Sequence, residues 1–444
     1  KNDLSIVPRS LPDSFERPQP CHFFIKERDR ITLPRFWKPA EELQDALYSE
    51  TEIIINEPET IDIEFNGSLR PVQQEAADAC IESLHTCEGA FLQLPCGFGK
   101  TVIGLYITHF LKLKTLIIVH KEFLLEQWRE RIQQFLPTAR IGILQRNKQN
   151  IDDCDIVLGM IHSIVVRDEY KYDSFGLCIV DEAHHIAANT FKHSILKRLR
   201  NNTSIKIMGL SATPTRRDGL TNGIHWLLGP MAYRGKDLQH ETASIPHAFK
   251  LRYNDGNQKE IKYKFHGLGV PTMITRMSKD KLRNKYLIRM IVEAVKARRC
   301  TLILSERRKH LQTLYNRTCE HIEDMGTDIE AGIVLGGSSE KDRELGFSKD
   351  IIFSTIQYAF EGLDIPRLDT LILATPCSVN RLEQCVGRIM RCKTSKPVIL
   401  DIHDPFSIFD GMAWSRYHMY RSKQFKISSF ELSFHDFPDF FHSI

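Results

Sequence analysis

Two short stretches of this 444-residue chain carry residue types able to handle a phosphoanhydride. In the first, Pro95-Cys96-Gly97-Phe98-Gly99-Lys100-Thr101 follows an apolar run at residues 91–94 and opens another at 102–110. Glycines let backbone N–H groups approach an oxyanion, and the positive end of a following helix favours it. Lys100 would reach β- and γ-phosphates, and the Thr101 hydroxyl would ligate Mg²⁺. The strict GxxxxGK[ST] spacing is broken, because Leu94 stands where the first glycine belongs. A glycine-rich turn after a strand is the alternative. In the second stretch, Leu177-Cys178-Ile179-Val180 ends in Asp181-Glu182-Ala183-His184. Acidic residues at the C-terminal end of a buried strand fit a metal and water site. Asp181 would hold Mg²⁺ through water, and Glu182 would polarise the attacking water. A helix N-terminus favouring acids through its dipole would explain the charges. It would not explain their pairing with a phosphate loop on a neighbouring strand.

Two further segments are weaker alone. Ser211-Ala212-Thr213-Pro214 follows an apolar run at 207–210 and, taken alone, reads more readily as a plain turn. Gln384-Cys385-Val386-Gly387-Arg388-Ile389-Met390-Arg391 sets Arg388 and Arg391 three apart, on one helical face. Arginines so spaced can enter a phosphate site as an arginine finger does, or form a solvated basic face. His184-His185 has no third ligand at metal spacing and is not a zinc pair.

The elements that must position these residues follow from periodicity. Between residues 67 and 235, short β-branched runs alternate with helical patterns, which implies a parallel sheet covered on both faces. The runs fall at 91–94, 115–119, 155–158, 178–180 and 206–210. Residues 236–280 are polar and rich in turn signals, a linker with some strand near 247–253. Strand–helix alternation then resumes to 427, with runs at 301–304, 332–335, 351–354, 370–373 and 398–402. The fold class is therefore α/β, with two tandem lobes. Residues 1–66, dense in proline, form a small N-terminal accessory module, and 428–444 a C-terminal tail.

Six segments in order resemble one family: LRPVQQEA, PCGFGKT, DEAH, SATP, TIQYAFEGLDIP and QCVGRIMR have the order and spacing of superfamily 2 helicases. The resemblance covers residues 67–410. It implies RecA-like lobes at 67–235 and 281–427, the second beginning within 236–280, that clamp ATP between them while nucleic acid crosses both. Arg70 and Gln73 match the adenine-facing motif. Pro95 through Thr101 match the phosphate loop, and Asp181 and Glu182 the metal and water-activating pair. His184, Ser211 and Thr213 would couple hydrolysis to lobe movement. Gly362 and Asp364 match the loop that senses nucleotide from the second lobe, and Gln384, Arg388 and Arg391 that lobe's catalytic face. For nucleic acid, Lys121, with Gln127-Trp128 downstream, matches one phosphate-contacting loop and Thr355 its counterpart in the second lobe. Arg216 and Arg217 touch the backbone or lie on a solvated turn.

SATPTRRDG and EGLDIP look more like the DNA-acting branch typified by XPB, UvsW and type III restriction motors than the RNA-processing DEAH proteins. The blocks RITLPRFW and GSLRPVQQEA look similar to transcript-release-type helicases of poxviruses and African swine fever virus. The resemblance thus implies ATP and Mg²⁺ as cofactors and DNA, single-stranded or tailed, as substrate. It also implies an RNA polymerase or transcription complex as a partner, and the host cytoplasm or virion as location, with the nucleus as the alternative. A formal charge of +4 is too small to announce a nucleic-acid binder by itself. No apolar run approaches the roughly 18 residues of a membrane span. Eleven scattered cysteines, none in a CxxC pair, indicate neither a zinc ribbon nor a disulfide scaffold. Residues 416–426 interleave aromatics with bases, which suits base stacking or a helix packing its aromatics inward.

Overall fold

Residues 115–119, Thr-Leu-Ile-Ile-Val, are apolar on both faces, as a strand sandwiched between helix layers must be. The computed structural model describes residues 4–8, 19–26, 28, 31–39, 57–95, 97–146, 148–166, 172–185, 202, 204–212, 218–235, 245–254, 256, 258–263, 267–338, 340–362, 365–389, 392, 395–433 and 437–441. The chain divides into two compact units, Lys1–Leu238 and Gln239–Ile444.

In the first unit the strands are β1 (Gly89–Gln93), β2 (Thr115–Val119), β3 (Ile141–Gln145), β4 (Ile156–Met160), β5 (Leu177–Val180), β6 (Lys206–Ser211) and β7 (Met231–Arg234). They pair in parallel in the order β7-β1-β6-β5-β2-β4-β3, and Lys148–Gln149 adds a short antiparallel edge beside β3. Alternate side chains feed separate cores: Leu116, Ile118, Cys178 and Val180 on one face, Ile117, Val119, Leu177 and Ile179 on the other. The covering helices include α1 (Pro71–Thr86), α2 (Lys100–Leu111), α3 (Glu122–Phe135) and α4 (Thr221–Leu228). Proline opens α1, where its missing N–H costs nothing. One topological expectation is corrected here. The strand carrying Asp181 does not neighbour the phosphate-loop strand, because β6 lies between them.

The N-terminal stretch contributes to this same unit. Leu4, Cys21 and Phe23 join the core that contains Leu116 and Cys178. The Phe23 ring meets Trp226 edge-on, with centroids 5.5 Å apart. It also fills the space over Gly223, where an added Cβ would come within 2.0 Å of the ring. In an open helix, Gly→Ala stabilises by about 1 kcal/mol; overpacking here costs about 1–3 kcal/mol and outweighs that gain. Gly223→Ala is therefore expected to destabilise the protein in chemical denaturation. In a Phe23→Ala background the same change is expected to be neutral or stabilising.

The second unit repeats the plan with β8 (His247–Arg252), β9 (Thr301–Ser305), β10 (Ala331–Val334), β11 (Ile351–Thr355), β12 (Thr370–Leu373), β13 (Val398–His403) and β14 (Lys426–Glu431). All pair in parallel, in the order β10-β11-β9-β12-β13-β8-β14. Its helices include α5 (Val270–Lys279), α6 (Lys281–Lys296), α7 (Arg308–Met325), α8 (Ile356–Gly362), α9 (Val379–Ile389) and α10 (Ser407–Ser422). The stretch read as linker thus supplies an interior strand, β8, and the whole of α5. Along α10 Phe409, Tyr417 and Tyr420 turn inward, while Trp414 stays exposed. Tyr417 and Tyr420 are buried, and Arg416 pairs with Asp401 at 2.7 Å with both side chains almost fully enclosed. Among the described residues no helix is long and apolar enough to cross a membrane.

Candidate nucleotide site and nucleic-acid face

In open α/β sheets, ligands gather outside the carboxyl ends of the strands. In the first unit the ends of β1, β6 and β5 carry the phosphate loop, Ser211 and Asp181-Glu182 side by side. Gly97 and Gly99 have φ of +80° and +94°, values that exclude most other residues. A Cβ at Gly99 would also lie 2.3 Å from Gln73 Nε2. Gln73 Nε2 donates to the Phe98 carbonyl at 2.8 Å, and an Arg70 guanidinium N–H donates to the same oxygen at 2.6 Å. The Arg70 backbone N–H in turn donates to Gln73 Oε1 at 2.9 Å. Helix α1 thereby braces the phosphate loop from behind, and both ends of the Gln73 amide are engaged within the chain.

Lys100 and Thr101 open α2, and Lys100 Nζ lies 3.1 Å from Glu182 Oε1. Burial alone would favour a neutral Glu182. The Lys100 ammonium and the neighbouring His184 outweigh it and hold the carboxyl well below the usual carboxylate range. Asp181 moves the other way, pushed up by burial and by the adjacent Glu182 charge. Glu182 itself has φ +46°, an uncommon conformation for a non-glycine residue. Asp181 Oδ2 accepts from the indole N–H of Trp128 at 2.9 Å, and its Oδ1 accepts from the Glu182 backbone at 2.8 Å. His184 Nδ1 sits 3.0 Å from Ser211 Oγ and 3.3 Å from Glu182 Oε2, joining the end of β6 to the acidic pair.

The tryptophan is the residue that motif reading misplaced. Trp128 does not extend the phosphate-contacting segment of Gln127: it is buried on α3 and orients Asp181. A buried indole N–H needs an acceptor, and its place on the inner face of an amphipathic helix was the available signal. Lys121 caps the start of α3, with its pKa lowered by burial, and Gln127 is half-buried on the same helix. In the second unit Thr355 ends β11 and lines a cavity of about 580 Å³ with Glu306, Arg307, Arg308, Gln357 and Arg381. Gly362 is the last residue of α8. Gln384 and Arg388 lie on α9, of which only the backbone is described at those positions. Cys96, Thr213, Arg216, Arg217, Asp364 and Arg391 lie outside the described residues.

Comparison with known proteins agrees with this arrangement. Residues 66–216 match the family model described as "Type III restriction enzyme, res subunit". The protein L396 of Acanthamoeba polyphaga mimivirus, provisionally named an ATP-dependent RNA helicase, is 29% identical over 98% of this chain and 83% of its own. QP509L of African swine fever virus (isolate Pig/Kenya/KEN-50/1950), named likewise, is 26% identical over 96% of this chain and 86% of its own. A helicase-named protein of Invertebrate iridescent virus 3, 109L, is 30% identical over 49% of this chain and 68% of its own. The chain belongs to the superfamily 2 helicases. Among solved structures, a fragment of an HsdR-type subunit of a type I restriction enzyme from Vibrio vulnificus YJ016 shares the fold. Its TM-score is 0.62 at 15% identity, over 88% of this chain and 71% of that one.

A helicase of this superfamily uses ATP and binds nucleic acid, and the residues present fit the nucleotide. The positive φ of Gly97 and Gly99 gives the loop the glycine-dependent turn that lets backbone N–H groups approach a phosphate. The Lys100 ammonium at the start of α2 meets Glu182 Oε1 at 3.1 Å, while Glu182 Oε2 lies 3.3 Å from His184 Nδ1. Trp128→Phe keeps the packing and removes the donor that orients Asp181. It is expected to lower turnover or raise the Mg²⁺ requirement by about 10- to 100-fold, the usual cost of losing such a supporting hydrogen bond. A Mg²⁺ titration of ATP hydrolysis checks this; an unchanged half-saturating Mg²⁺ and turnover would count against the orienting role.

Proposed function

We propose that the chain is an ATP- and Mg²⁺-dependent motor that moves along DNA and separates its strands. The observation that carries this reading is the 3.1 Å pairing of Lys100 with Glu182 at the carboxyl ends of one parallel sheet. It brings a phosphate-binding cation and a water-polarising carboxylate to a single point, although 82 residues separate them in sequence. With nucleotide bound, Lys100 would exchange its carboxylate partner for the β- and γ-phosphates. Thr101 and Asp181 would hold Mg²⁺, which supplies charge neutralisation at the phosphates, and Glu182 would orient the attacking water. Arg388 and Arg391 are proposed to add positive charge at the γ-phosphate during hydrolysis. His184 and Ser211, already in contact, would pass the change at Glu182 to β6. Lys121, Gln127 and Thr355 would hold the phosphate backbone, which positions a strand without reading its sequence.

DNA is favoured by the match to a restriction-enzyme family model over residues 66–216, since restriction enzymes act on DNA. RNA is the second reading, and the names of the mimivirus and African swine fever virus relatives support it. The viral sources of these relatives support a viral setting; a place in viral transcription or replication, with a transcription complex as partner, rests on the sequence resemblance alone. Strand displacement on tailed DNA and tailed RNA duplexes, at one salt concentration, tests the substrate. ATP-dependent release of the DNA strand with little release of RNA is expected. The reverse preference would move the protein to RNA, and displacement of neither, with DNA-stimulated hydrolysis intact, would make it a duplex translocase.

A further inference from the structure

The second unit has a groove that the catalytic reading leaves unused. It encloses about 560 Å³ between α5, α6 and α7, and Lys279, Lys281, Lys285, Arg308, Lys309 and Arg317 stand around it. All six are exposed, no acidic side chain lines the groove, and none of the six makes an ion pair among the described residues. Elsewhere in this unit exposed cations find carboxylates, as Lys296 does with Glu293 and Arg298 with Asp328. The floor is fixed. His310 bridges Ser305 Oγ at 3.0 Å and Asn284 Oδ1 at 2.9 Å, and burial with nearby Arg283 pushes its pKa down to about 3. Arg307 is pinned by Thr275 Oγ1 at 3.1 Å and the Pro271 carbonyl at 2.8 Å.

With Arg307, seven like charges gathered with no carboxylate in the lining repel one another, so a polyanion entering the groove would relieve that repulsion. The groove adjoins the cavity that holds Thr355, since Arg307 and Arg308 line both. A backbone lying in the Thr355 cavity therefore has a cationic path on one side. We propose that this groove is a second, sequence-independent phosphate-backbone site, which grips nucleic acid beyond the Thr355 cavity. The inference rests on the nucleic-acid motor reading and lengthens the footprint that reading gives.

The test uses the full chain and a triple variant, Lys281→Gln, Lys285→Gln and Arg317→Gln, with a charge-reversed triple, each position to Glu, beside it. These side chains are exposed and none belongs to the residues assigned to the ATP site, so ATP hydrolysis without polymer should be unchanged and reports correct folding. Affinity for a long oligonucleotide is measured across a salt series. Each neutralised phosphate contributes about 0.7 to 0.9 to the slope of log K against log salt, so loss of three contacts should make the slope shallower by about 2 to 3. The reversed variant should bind more weakly still. An unchanged slope in both variants, while the parent protein binds and is stimulated by the oligonucleotide, would overturn the groove and leave the motor reading standing. A parent protein that neither binds nor responds to any polymer would overturn both. Long-chain inorganic polyphosphate forms a parallel arm: variants that lose its binding yet keep the full nucleic-acid slope would show a free-polyphosphate site and overturn the proposal.

Discussion

Glu182→Gln is expected to lower ATP turnover by about 10²- to 10⁴-fold, the range that general-base assistance commonly supplies, while leaving ATP affinity within a few-fold. The two side chains are nearly isosteric, and the amide oxygen can still accept from Lys100, so the geometry at the end of β5 should survive. What is lost is the negative charge. Lys100 and His184 keep that charge in place against the cost of burial, and a water aligned by a neutral amide is not polarised in the same way. Single-turnover hydrolysis combined with nucleotide binding separates the two effects. Wild-type turnover in the variant would remove Glu182 from the chemistry.

The second large effect is Lys100→Ala, expected to reduce kcat/KM for ATP by about 10²- to 10³-fold, the cost of deleting one preorganised electrostatic contact. Unlike Glu182→Gln, it should weaken binding as well as turnover, because the ammonium meets the phosphates before and during reaction. It also strips the cation from two adjacent carboxylates. Asp181 is already pushed up by burial and by Glu182, and Lys100 is the charge that opposes this. Mg²⁺ should therefore raise the thermal midpoint of Lys100→Ala more than that of the parent protein. An equal Mg²⁺ effect in both would mean that Lys100 does not balance the acidic pair.

Much of this was legible in the sequence, for identifiable reasons. Runs such as 115–119 and 177–180 are apolar on both faces, and only a doubly covered parallel sheet buries them. The phosphate-loop and acidic segments could be named because their chemistry needs fixed residue types at short spacing. Where the reading failed, the partners are far apart in the chain. The insertion of Lys206–Ser211 between β1 and β5 is set by sheet order, which local pattern does not encode. The strand expected near 247–253 is present as His247–Arg252, but its place inside the second sheet, between β13 and β14, is again a matter of sheet order. In the fold the Lys250 ammonium lies 3.9 Å from the ring centre of Trp414, a contact that lets a charged residue sit on an interior strand. Trp128 finds Asp181 across 53 residues, and Phe23 finds Gly223 across the length of the unit.

The most direct test of the central claim is steady-state ATP hydrolysis by the parent protein, measured with no polymer, single-stranded DNA, duplex DNA and RNA at one fixed salt concentration. Phosphate-driven binding falls steeply as salt rises, so the comparison holds only at constant ionic strength. A nucleic-acid motor predicts slow hydrolysis alone and strong stimulation by at least one polymer, DNA above RNA, abolished by Glu182→Gln. Hydrolysis that ignores every polymer, or that persists in Glu182→Gln, would contradict it.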